Sequence, residues 1–175
     1  MQCSAGNRSG LFASIAILSG CFGGCASPGH EHAAAPSRQD VVAVRGAAVM
    51  PFDLARTTHF FDDNATGGVE TVTANDKSDA GQVALVRAHL AIEAEHFGRG
   101  DFSDPARIHG ADMPGLATLS KAGAELHVAY LDVPGGASLS YESRDPGTIA
   151  AIHDWFAAQR ADHAAHTHLH GHPQP

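Results

Sequence analysis

Thirteen histidines stand among 175 residues, and their spacing sorts them into two kinds of candidate metal ligand. His89, Glu93 and His96 recur at i, i+4 and i+7, which on a helix puts them in one stripe, about a quarter-turn from the apolar positions. Imidazole and carboxylate on adjacent turns can reach a single ion. Glu93-Ala-Glu-His96 also has the i, i+3 spacing of carboxylate-bridged di-iron bundles, although such a centre needs two copies and the chain has one. The stretch from Gly98 to Gly115 is rich in Gly, Pro and Asp, the composition of a functional loop more than of a plain connector. Its His109 and Met113 would add an imidazole and a thioether, a mixed donor set that suits copper. The competing account of the same residues is structural. The histidines form a hydrogen-bonded polar edge, Asp101 and Asp104 cap a short turn, Asp112 caps a helix from Pro114, and Met113 fills core.

The second kind is compositional. His166, His168, His170 and His172 alternate near the C-terminus, with His163 just before them and His30-Glu31-His32 near the other end. Such a tract chelates Cu, Ni or Zn by local density without any fold, and should release it as the rings protonate below pH ~6. His59, His127 and His153 each stand alone, and a lone strand histidine is more often structural than a ligand.

The elements that must position these residues follow from pattern. Thr57–Asp62 and Gly68–Ala74 are β-prone runs joined by a turn at Asp63 to Gly67. Leu126–Val133 and Ala137–Glu142 form a second pair around Pro134-Gly135-Gly136, and both read as hairpins. His59, Gly67 and Gly68 stand 68 residues before His127, Gly135 and Gly136, so the two histidines are expected at matching places. A helix should follow each hairpin. One is capped at Ser78-Asp79 and stopped at Gly98, with Val83, Val86, Leu90, Ala94 and Phe97 on its apolar face. The other opens at Asp145-Pro146 and runs to about His163. The spacing predicts an α+β domain over residues 48–163. Two ββα units would give a four-stranded antiparallel sheet with two main helices on one face, and an insertion over 99–122.

The N-terminus reads as a targeting segment. Arg8 precedes the apolar run Leu11–Leu18, which is too short to span a bilayer, and Leu18-Ser19-Gly20-Cys21 resembles a lipobox. Residues 1–20 are expected to be a lipoprotein signal peptide, and Cys21 to carry the lipid. Cleavage near Ala26 by an ordinary secretory route is the alternative. Phe22 after the cysteine favours the outer membrane, facing the periplasm. Residues 21–47 are expected to be a flexible tether, and 164–175 a disordered tail. With Cys3 removed and Cys21 lipidated, Cys25 has no disulfide partner.

A net charge of −8 without a basic cluster argues against a nucleic-acid partner. The chain has no Walker loop, Gly-x-Ser-x-Gly elbow or Cys-x-x-Cys pair. Three segments, Met50–Phe61, Gly100–Leu116 and Ile152–His163, resemble a group of short bacterial proteins often called aspartate carbamoyltransferases. The resemblance covers about residues 48–163. That activity uses two domains, a Ser-Thr-Arg-Thr phosphate loop and a His-Pro-x-Gln segment. Here Arg56-Thr57-Thr58 is the nearest fragment of the first, and His172-Pro173-Gln174 falls in the tail. The resemblance therefore brings no mechanism, and carbamoyl transfer is not expected.

The residues together point to an envelope lipoprotein that binds copper or zinc for buffering or transfer. The membrane would be met through the lipid anchor, and no protein partner is specified. The alternative is a non-enzymatic interaction or structural module with incidental histidines. A small hydrolase or transferase using His109 with Asp101 or Asp104 ranks last, for want of a nucleophile.

Overall fold

The computed structural model describes residues 35–163. Strands β1 (Thr57–Asn64), β2 (Gly67–Ala74), β3 (His127–Val133) and β4 (Gly136–Glu142) form one antiparallel sheet in the order β1-β2-β4-β3. The hairpins form where turn chemistry allows. Asn64 Oδ1 accepts from the Thr66 backbone N–H at 2.9 Å and closes the first. In the second, Pro134 fixes φ and Gly135 takes φ 86°, the pair a type II turn requires. Gly136 follows because β2 approaches closely: a Cβ there would stand 1.9 Å from the Val72 carbonyl oxygen.

Helices α2 (Ala80–Gly98) and α5 (Pro146–Asp162) follow the hairpins and pack on the same face of the sheet. Both begin as the sequence predicts. Asp79 accepts from the Gln82 N–H at 3.1 Å, and Asp145 from the Thr148 N–H at 2.7 Å with Pro146 in the first turn. The core between the layers is aromatic. Phe61 meets Phe156 edge-on at 5.3 Å between centroids, Trp155 meets Tyr141 at 5.4 Å, and Phe97 stacks on Phe102 at 4.7 Å.

Three features differ from expectation. Part of the stretch taken as tether is a helix, α1 (Arg38–Ala47). Ser37 and Asp40 form a reciprocal capping box, Val42 and Gly46 are buried, and Gln39 Nε2 donates to the Ala161 carbonyl at 3.2 Å. The insertion forms α3 (Ser103–His109) and a single turn, α4 (Leu116–Leu119). Gly115, not Asp112, occupies the N-cap of α4, without a side-chain hydrogen bond. Finally, the matching of His59 with His127 fails in direction. Thr57, His59 and Phe61 face the helices, whereas in β3 the inward side chains are Val128 and Tyr130, leaving His127 exposed. An even spacing between the hairpins does not survive a one-residue change in pairing, which turns every side chain over.

Gly136→Ala is expected to cost about 2–4 kcal/mol through its clash with Val72. At about 3 °C per kcal/mol for a domain of this size, the thermal midpoint should fall by roughly 6–12 °C in calorimetry. An unchanged midpoint would show that β2 and β4 can part locally.

Candidate functional site

The inner face of the sheet is not purely apolar. His59 on β1 and Glu70 on β2 take inward positions in strands whose other inward residues are small or apolar. Above them, α2 buries His89 and Glu93 on the same stripe as Val86, Leu90 and Phe97, not on a separate polar edge. Helix α3 buries His109, and α5 buries Trp155, Gln159 and Asp162 along successive turns. These elements enclose a pocket of about 40 Å³ whose walls include His59, Glu70, His89, Glu93, Asp104, His109, Gln159 and His163.

Glu93 and Asp104 of this wall converge with His96 beside it, their ligand atoms all within 4.8 Å of one another. The His96 Nδ1 is 3.4 Å from Glu93 Oε1. Glu93 is nearly fully buried, whereas His96 and Asp104 keep partial access to solvent. Asp104 is also paired with Arg107 at 3.1 Å. Donors on one tetrahedral ion at ~2.1 Å stand about 3.4 Å apart, so small rotamer changes bring the three onto a common ion.

Electrostatics single out Glu93. Burial pushes its carboxyl up to about 8, and the nearby charges of Asp104, Glu70 and Asp101 push the same way. Burial also raises Glu70 to about 7, against a 2.9 Å hydrogen bond from the Tyr141 hydroxyl that favours the carboxylate. His89 and His109 are both lowered, chiefly by burial.

A chain of rings and charges runs along the pocket. Phe52 lies between His89 and His59, at 5.7 and 6.0 Å between centroids. His163 sits 5.2 Å from His59 and 5.1 Å from His109. The His109 Nδ1 is 2.8 Å from Asp162 Oδ2, with both side chains almost wholly buried. Burial works to raise Asp162, but bonds from Arg38 and His109 outweigh it and hold the carboxyl below its ordinary value. Arg38, on α1, grips both carboxylate oxygens at 2.5 and 2.7 Å and also donates to the His109 carbonyl at 3.1 Å. With His109 neutral, its Nδ1–H donates to Asp162 and leaves Nε2 as the basic nitrogen, the arrangement a second-shell carboxylate imposes on a metal-binding imidazole.

The structure thus brings His89, Glu93 and His109 to one pocket and joins His96 to it through Glu93. Met113 is different: it is buried in the apolar core and is not among the pocket-lining residues. Its unbranched side chain fills space there. Cys21 and His166, His168, His170 and His172 lie outside the described residues. Sequence reasoning missed Glu70, Gln159 and Asp162, grouped His163 with the tail, and gave Asp104 only as a turn cap or a partner of His109. His59 and Glu70 have a usable signal in strand parity, and Gln159 and Asp162 in the helical stripe from Ile152 through Trp155. Compared with protein-family models, curated proteins and solved structures, the chain matches none.

Without metal, Glu93 and Glu70 hold protons in the fold that the unfolded chain releases near 4.5. The native state therefore binds more protons up to about pH 8, and stability falls as pH rises through that window. His89 and His109, lowered from 6.5 in the fold, act oppositely but only below that value. Thermal midpoints in chelator should therefore fall from pH 6.5 to 8, and less steeply in Glu93→Gln. A midpoint that climbs over this range would contradict the assignment.

Proposed function

We propose that the protein binds a divalent transition-metal ion through Glu93, His96 and Asp104, and does so as a lipid-anchored protein of the bacterial envelope. The convergence of these three donors within 4.8 Å carries the reading. An ion there would offset the burial that, with the nearby acidic groups, holds the Glu93 carboxyl near 8. One imidazole and two carboxylates favour borderline divalent ions, zinc or copper(II). The thioether that would favour copper(I) belongs to Met113, which is packed in the core. Two carboxylates also neutralise the charge of a divalent ion, so binding near neutral pH should release a proton from Glu93. The lipid anchor rests on the order of Arg8, the apolar run and Leu18-Ser19-Gly20-Cys21. The tail histidines would collect ions of the same class.

Calorimetric titration of the full chain with zinc tests this, using a variant in which His166, His168, His170 and His172 are changed to alanine. One site should remain, and zinc should raise the thermal midpoint by mass action. Glu93→Gln, His96→Ala and Asp104→Asn should each weaken binding at least about tenfold, or ~1.4 kcal/mol. If the tail variant takes up no ion below millimolar concentration, the folded site does not exist. For the anchor, cell fractionation should find wild type with membranes and Cys21→Ala unlipidated. Uncut wild type in the soluble cell interior would refute it.

A further inference from the structure

Among the described residues, two buried side-chain polar atoms lack a hydrogen-bond partner: Trp155 Nε1 and Gln159 Oε1. Neither is a surface accident, since Trp155 is 0 % exposed and Gln159 5 %. They lie one turn apart on α5, and both residues line the pocket. One is an obligate donor and the other an acceptor. Leaving both unmet inside a protein costs about 1–3 kcal/mol each, which native structures seldom tolerate. The two demands are complementary, and a single molecule with an O–H or N–H beside a lone pair meets both. The pocket volume of about 40 Å³ admits on the order of one to three water-sized molecules.

From this geometry we infer that the pocket is a binding site for a small uncharged hydrogen-bonding molecule, water in the resting protein, which accepts from Trp155 Nε1 and donates to Gln159 Oε1. Its size limit is a few non-hydrogen atoms. The absence of charge follows from what surrounds the indole, where the Phe97, Tyr141 and Phe156 rings lie 5.9, 5.4 and 5.7 Å from Trp155 between centroids. The carboxylates of Glu93 and Asp104 belong to the part of the wall that carries the triad, and an ion at the indole would be desolvated without them. The inference does not depend on a metal, because the unmet atoms belong to α5 and not to the triad.

Trp155 is the chain's only tryptophan, so one indole reports the site. Ultraviolet resonance Raman spectra of the full chain in chelator read whether its N–H is hydrogen-bonded. Wild type should show a bonded indole, Gln159→Leu should shift it towards the unbonded form, and tens of millimolar formate should leave wild type unchanged. An unbonded indole in wild type means an empty pocket and overturns the inference. So does a Gln159→Leu spectrum identical to wild type, and a formate-induced shift would overturn the uncharged class. The wild-type spectrum and the formate titration need no variant, so a Gln159→Leu chain that fails to fold leaves the inference open to refutation. Zinc calorimetry on the chelator-free tail variant reports the triad separately.

Discussion

Burying an ionisable group costs several kcal/mol unless its charge or its hydrogen bonds are answered inside the protein, and the layer between this sheet and its helices buries several. The rest of the structure is arranged around how each is answered. Asp162 is met by the Arg38 guanidinium and the His109 ring, and stays ionised. Glu70 is met by the Tyr141 hydroxyl, which reduces its penalty without removing it. Among the described residues, Glu93 meets His96 at 3.4 Å and acidic neighbours, and it is the group they leave for something else to complete. A proton completes it in the metal-free chain, and in the proposed function a cation shared with His96 and Asp104 would take that place.

The two ββα units contribute unequally. The first supplies His59 and Glu70 from its strands and His89, Glu93 and His96 from its helix. The second supplies apolar wall, with Leu139 and Trp155, and at the end of α5 the polar residues Gln159, Asp162 and His163. The inversion of strand facing explains why, for it turns His127 away from the layer where His59 enters it. Helix α1 adds a third contributor. Through Arg38 it fixes Asp162 and hence the orientation of His109, so a segment outside the ββα units sets the geometry of a pocket residue.

Period and punctuation made much of the architecture legible. Period-2 runs around Asn64 and Pro134-Gly135 specify the hairpins, and Asp79 and Asp145-Pro146 specify where the two main helices begin, because turns and caps are satisfied by neighbours in sequence. The helical spacing of His89, Glu93 and His96 likewise put them on adjacent turns. Helix α1 was also written locally, in the capping box Ser37-Arg-Gln-Asp40, but the small and polar residues around it masked the signal.

Tertiary structure alone decided what those elements bring together. Whether His59 faces in and His127 out depends on strand pairing, where one residue of register reverses every side chain. The meeting of Asp104 with Glu93 and His96, of Arg38 with Asp162, and the burial of Met113 are contacts between elements whose separation along the chain encodes no distance. The unmet atoms of Trp155 and Gln159 belong to the same class, because a missing partner is a property of packing, and composition and spacing hold no record of it.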